Sequence, residues 1–290
     1  MKKFNLSQWL LVLLLVISAG LTTHAQSEKS LLWKISGNGL AEDSYLFGTI
    51  HLICPDQFMM DDRIKEAFEN TDQLVMELDM DDPTMQQKMQ QLSLNAGMKN
   101  LEPQIKEEYK EALNKFLMEN YGANISQFGV LKPFVLSSMI MLKQLPCEQI
   151  ESYELFFTNL ATEQQKEILG LETVEFQMQV FDQIPIDYQL DELGKMVTED
   201  YTQKEFAKMI EAYRAEDLDQ LYKMIAESGT MTGDFAEIML DDRNEEWIDD
   251  MENLMKEEAT FFAVGAGHLG GENGVISLLE KAGYKVEAVK

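Results

Sequence analysis

The chain has 290 residues, with 51 acidic against 24 basic side chains and a formal charge of −27. That excess repels phosphate backbones and anionic lipid surfaces, so nucleic acid and acidic membranes are excluded as partners. Nothing beyond the first residues is apolar for long enough to cross a bilayer, so stable membrane insertion is excluded as well.

Lys2 and Lys3 precede a short apolar run from Trp9 to Ile17, and small and polar residues follow to Ala25. This is the pattern of a secretory signal peptide over residues 1–25, with cleavage after Ala25. The expected product is exported, periplasmic or secreted, and a single domain over 26–290. No cysteine follows the apolar run, which argues against a lipid anchor. Removing Lys2 and Lys3 leaves 22 basic against 51 acidic residues, a charge of −29. Export permits a disulfide between Cys54 and Cys147, the two cysteines of the chain, without requiring one.

Residues 31–37 and 44–52 read as two strands joined by a turn rich in Gly, Asn and Asp. In the second, the period of two puts Tyr45, Phe47, Thr49 and His51 on one face, and Gly48 leaves room for a close approach. Residues 61–70 predict an amphipathic helix with Ile64, Ala67 and Phe68 inward, and 73–79 a buried strand ending in Glu77 and Asp79. From about 83 to 256 apolar residues recur at three and four spacings, broken near Asn120–Asn124, Pro133, Pro146, Gly170, Pro185 and Gly229–Gly233. Six to nine helices are expected there. The 19 methionines lie at helical spacing, which suits adaptable core filling better than copper binding. The end returns to a strand at 260–264, a helix at 274–282 capped by Gly283, and a strand at 284–289. The expectation is an α+β fold: a mixed sheet built from both ends of the chain, carrying a large helical insertion.

The mature chain keeps two histidines, His51 and His268, and each closes a Gly-x-x-His after an apolar run. If the two ends share a sheet, both imidazoles reach one rim, with Glu77 and Asp79 beside them. Two histidines and a carboxylate are a minimal set for a divalent metal with open positions for water and substrate. Residue types alone do not separate Glu77 from Asp79 as ligand or base. The competing reading is a hydrogen-bonded core histidine and a buried acid paired with a cation; the doubled context weighs against it. Arg243, one of three arginines, could hold a carboxylate or an oxyanion, or simply pair with acids. Gly265-Ala-Gly-His-Leu-Gly270 imitates a dinucleotide fingerprint, but one β-α-β unit and a late helix start leave it without context. No serine elbow and no activated cysteine is present.

Leu46-Phe-Gly-Thr-Ile-His51, Val75-Met-Glu77-Leu-Asp79 and Val264-Gly-Ala-Gly-His268 together resemble the TraB/GumN family, which includes the TIKI metalloproteases. Leu131-Lys-Pro133, Gly170-Leu-Glu-Thr-Val-Glu175 with Gln177, Arg243-Asn244 and the segment from Gly274 extend the resemblance over nearly the whole mature chain. It implies a fold similar to erythromycin esterase and the haem-binding ChaN proteins. It also implies a catalytic set of His51, Glu77, Arg243 and His268, with manganese or cobalt ahead of zinc held by His51, Glu77 and His268. The expected activity is metal-dependent hydrolysis of a peptide or protein substrate. The alternative is a haem- or peptide-binding protein of the same fold without turnover. TIKI proteins are tethered to membranes, and no such tether is visible here.

Overall fold

The computed structural model describes residues 28–199, 201–226 and 236–290. The expected signal peptide, its cleavage site and the Gly229–Gly233 break lie outside the described residues. The first elements follow the sequence reading closely. Strands β1 (Leu32–Ser36) and β2 (Ser44–Thr49) are followed by helix α1 (Asp62–Glu69) and strand β3 (Gln73–Leu78). Asp61 caps α1 by accepting from the Ile64 N–H, and Ile64, Ala67 and Phe68 form its buried face. Strand β2 ends at Thr49, so His51 stands two residues past it on a bend rather than on the strand face.

Helices α2 (Met85–Leu92), α3 (Glu107–Tyr121), α4 (Ile125–Phe128), α5 (Pro133–Gln144) and α6 (Tyr153–Gln164) come next. Their punctuation has local causes. Gly122, at φ 71°, ends α3 in the left-handed conformation, Asn124 and Gln127 form a capping box for α4, and Pro133 opens α5. Then comes strand β4 (Glu167–Glu172), inside the stretch read as helical. Gly170, which the helical spacing reads as a break, is a strand residue pressed against β3: a Cβ on it would stand 2.4 Å from the Asp79 nitrogen.

Helices α7 (Val174–Asp182), α8 (Ile186–Thr198), α9 (Tyr201–Arg214), α10 (Leu218–Ala226) and α11 (Asp242–Glu257) complete the insertion. It therefore holds ten helices among the described residues, one more than the upper expectation. A π-helical turn at Glu237–Asp241 leads directly into α11. Strand β5 (Thr260–Gly265), a 3₁₀ turn at Ala266–His268, helix α12 (Val275–Lys281) and strand β6 (Lys285–Ala288) close the chain. Gly283, at φ 100°, follows α12 as expected, with the Tyr284 N–H reaching back to the Leu279 carbonyl.

The six strands form one sheet in the order β4-β3-β5-β2-β1-β6. β5 pairs in parallel with β2 on one side and β3 on the other, which brings the two ends of the chain together. β1 is antiparallel to both β2 and β6, so it alone runs against the other five. Consequently β2, β3, β4 and β5 all deliver their carboxyl ends to one rim. β3 and β5 are buried on both faces, which is why they read as unbroken apolar runs. Against them Phe47, Phe68, Phe157 and Phe261 meet ring to ring, with the Phe157 and Phe261 centroids 5.0 Å apart. A second, separate core of Leu113, Leu117, Ile140, Leu193 and their neighbours holds α3, α5 and α8 together. No helix among the described residues is long and apolar enough to cross a membrane.

Candidate active site at the carboxyl rim of the sheet

Each functional side chain arrives at the rim for a local reason. β3 places Glu77 one residue before its end, and β5 leads into the tight turn that carries His268. Gly48 and Gly265 make the junction possible. A Cβ at Gly48 would lie 3.0 Å from Ala266, and one at Gly265 would lie 3.1 Å from Glu77 Oε1. Gly48 thus serves close packing between the two motifs, and Gly265 leaves room for Glu77. Helix α11 contributes Arg243, Asn244 and Trp247, while β4 ends in Glu172.

Arg243 is the hub. Its Nε and one Nη2 hydrogen go to the two oxygens of Glu172 at 2.7 and 2.8 Å, and the other Nη2 hydrogen goes to Glu77 Oε2 at 2.8 Å. Nη1 donates to the Met239 carbonyl at 2.9 Å and to His268 Nε2 at 3.1 Å. Those contacts use all five N–H groups of a guanidinium. As arranged, Arg243 has no donor left for a substrate carboxylate; its work is to neutralise buried acids. The π-helical turn before α11 presents the Met239 carbonyl that takes one of these bonds. Glu77 also accepts from the Gly265 N–H at 2.9 Å and from Gln177 Nε2 at 3.0 Å. Burial alone would raise the Glu77 carboxyl, yet His268, Arg243 and His51 around it hold it well below the usual carboxylate range.

His268 is buried and its protonation is set by its partners. Arg243 can only donate, so Nε2 accepts and the ring proton sits on Nδ1, which meets Asn244 Oδ1 at 2.7 Å. Asn244 donates its amide to the His268 and Asn273 carbonyls at 3.3 and 2.9 Å, which fixes the oxygen as acceptor. Trp247 lies against the ring, with centroids 4.4 Å apart. Burial first, and then the nearby Arg243 charge, push this imidazole down to about 3 against the pull of Glu77, so it is neutral at physiological pH.

His51 is the opposite case. Its side chain is 68% exposed at the mouth of the cavity, and Nδ1 contacts Glu154 Oε1 at 2.9 Å. Desolvation inside the mouth lowers its affinity for a proton, but the hydrogen bond and charge of Glu154 win and raise it to about 9. The sequence pattern gives no role to Glu154, Glu172, Gln177 or Asn244. The last three fall within segments that carry the family resemblance, which was the available signal. Glu154, on α6, lies in none of them. Asp79 does not join the cluster. It sits past the end of β3, accepts from the Asp81 N–H at 3.3 Å, and is raised by partial burial and by Asp81.

His51, Glu77, Gln177, Arg243 and His268 line a cavity of about 570 Å³. Thr49, His51, Glu77, Gln177, Arg243 and His268 supply the polar wall, while Phe134, Phe181, Phe206, Met209, Met224 and Leu240 are among its apolar lining. Whether a metal fits follows from the lone pairs. His268 Nε2 and Glu77 Oε1 are 3.9 Å apart, but the Arg243 guanidinium already takes His268 Nε2 and Glu77 Oε2. Among the described residues no three His, Cys, Asp or Glu side chains gather for an ion. In this arrangement the expected ligand set of His51, Glu77 and His268 does not fit a divalent metal.

Fold and site together define an α+β protein whose two Gly-x-x-His motifs meet a Glu–Arg–Glu cluster at the carboxyl rim of a mixed sheet. The family model for TraB/PrgY/gumN matches residues 31–288, and the chain belongs to the TraB/PrgY/gumN family. No curated protein and no solved structure matches it. The Cys54–Cys147 disulfide is formed, with the Cα atoms 5.9 Å apart.

Proposed function

We propose that this cleft is the hydrolytic site of an exported protein acting on peptides with apolar side chains, and that His51 carries its proton transfers. The observation behind the reading is convergence: His51, Glu77, Arg243 and His268 come from distant segments to one wall of one cavity. The apolar remainder of the lining suits hydrophobic side chains held beside a few oriented polar groups. With Nδ1 bound to Glu154, the Nε2 of His51 is the ring nitrogen left for substrate. The neutral ring, gained as pH approaches about 9, takes a proton from the water that attacks the carbonyl, and the charged ring so formed gives it to the leaving amine as the C–N bond breaks. Glu77, held by Arg243, is too weak a base for that step and instead fixes a negative charge beneath the reacting group. Export accords with the disulfide, a bond of oxidising compartments.

A divalent ion, manganese or cobalt ahead of zinc, would polarise the scissile carbonyl and lower the pKa of a bound water. For His268 and Glu77 to hold it, Arg243 would have to release both, so no step above runs through the ion. The test is purified full-length protein with peptides rich in Leu, Phe and Met, in chelator or with each ion in turn, read by mass spectrometry. Cleavage that disappears in His51→Ala while the circular dichroism spectrum is unchanged supports the reading.

A second reading is favoured by the saturation of the polar wall. Arg243 spends every donor on protein groups, as a binding site without turnover would allow. Capture of peptide without cleavage under any ion, or a Soret band on haem titration that His51→Ala removes, would replace hydrolysis by binding.

A further inference from the structure

We propose that Glu154 is the positioning residue of this site, holding the His51 ring in one orientation with its Nδ1–H on the carboxylate, from a helix whose leading loop is cross-linked to the His51 loop. The proposal rests on the reading of His51 as the reactive group, though its test does not. A side chain as open as that of His51, on a bend beyond a strand end, has free rotation about both its torsions unless something arrests it. Glu154 is the contact that does so. Its Oε1 lies 2.9 Å from His51 Nδ1 and accepts the Thr49 hydroxyl at 3.0 Å, while Oε2 accepts the Ser152 hydroxyl at 2.7 Å. With Thr49 and Ser152 fixing the carboxylate plane, the remaining direction of Oε1 faces the ring. A carboxylate accepts only, so Nδ1 carries a proton in the charged and the neutral ring alike, and Nε2 is left as the working nitrogen.

The frame around this pair is independent of it. Cys54, three residues after His51, is bonded to Cys147, and Ile53 forms a two-way backbone bridge with Glu151, three residues before Glu154. The bridge bonds are 3.1 and 2.8 Å. The loop after β2 and the loop leading into α6 are therefore tied twice, covalently and by backbone, beside the place where His51 and Glu154 meet. Glu154 has a blander task available, because an acid in the first turn of α6 also favours the helix dipole. The experiment must separate the two.

Full-length protein labelled with ¹⁵N-histidine is examined at one fixed pH, wild type beside Glu154→Ala and Glu154→Gln, with His51→Ala for assignment. An imidazole N–H at an exposed site exchanges with water too fast to be seen unless a hydrogen bond retains it. The expected result is a His51 Nδ1–H signal in wild type, its loss in Glu154→Ala, and its retention in Glu154→Gln, which keeps an acceptor oxygen. The His268 Nδ1–H, bonded to Asn244, should be unchanged throughout and reports that each variant is folded. Persistence of the His51 signal in Glu154→Ala overturns the proposal, including the case in which Tm falls because only the helix was served. Absence of the signal in wild type overturns it too. If turnover exists, Glu154→Ala should lower kcat about 10- to 100-fold with KM unchanged, and Glu154→Gln should recover most of it. Without turnover the hydrolase reading fails and the imidazole signals still decide the role of Glu154.

Discussion

His51 and His268 end the same four-residue motif, at the carboxyl ends of neighbouring parallel strands, and share almost nothing else. His268 is 5% exposed, packed against the tilted ring of Trp247, and held between Asn244 and Arg243; His51 is 68% exposed and meets one carboxylate. One ring is driven below its ordinary range and the other above it. The difference comes from the helices that reach each turn. α11 brings an amide and a guanidinium to His268, whereas α6 brings an acid to His51. A repeated local motif therefore marks where a site is built, and the inserted helices decide what each copy does there.

The severest way to break this contrast is to remove the guanidinium on the His268 side. Arg243→Met leaves Glu77 and Glu172 buried without their cation and His268 Nε2 without its donor. A cost of about 3–5 kcal/mol is expected from stranding buried charge, read as a fall in urea unfolding free energy. Arg243→Lys should recover little, since an ammonium has three donors and no fork to reach Glu172, Glu77 and His268 together. A mild loss in Arg243→Met would mean that the cluster is open to water and that His268 is less sequestered than its contacts require.

On the His51 side the corresponding break is covalent. Replacing both cysteines, Cys54→Ser with Cys147→Ser, opens a loop spanning 93 residues in sequence. The expected loss is about 2–4 kcal/mol, from the freedom returned to the unfolded chain. The sharper readout is local: the His51 environment should change while the His268 Nδ1–H signal stays where it is. A shift at His268 instead would show that the two halves of the rim are one mechanical unit.

How much of this the sequence discloses depends on how local the cause is. β3 and β5 are legible because central strands must be apolar throughout, and α1 because its cap and its inward face sit within ten residues. The convergence of His51, Glu77 and His268 is legible because strand ends carry them. β4 is not, since Glu167-Ile-Leu-Gly-Leu-Glu172 lies at the sheet edge with an acid at each end and lacks a strand's usual apolar pattern. Glu154 and Glu172 are hidden for a further reason. In a chain with 51 acidic residues, two that turn inward look like all the others until helix packing brings them to a partner. Arg243 was legible as a member of the site, but its five-fold saturation is a property of the assembled neighbourhood.

The gentlest test of the contrast is the pH dependence of stability, where the two histidines should act with opposite sign. His268 has a folded pKa depressed from 6.5 to about 3, so the unfolded chain binds the proton more readily between those values. Its contribution is complete above 6.5 and drains as pH falls, with a slope of up to ~1.4 kcal/mol per pH unit. Glu77 adds a loss of the same sign once pH falls below its ordinary 4.5, so the clean window is between 6.5 and 4.5. Within it, urea midpoints of His268→Asn should be flatter with pH than those of wild type. His51 has a raised folded pKa, so what it contributes is present below 6.5 and is lost as pH rises through about 9. His51 is exposed while Glu154 is half-buried, so solvent screening makes this alkaline loss smaller than the full shift would give. His51→Ala should erase that small loss and leave the acid limb untouched. If His51→Ala flattened the acid limb instead, the charge on one histidine would be reaching the other through Glu77, and the two copies of the motif would titrate as a pair.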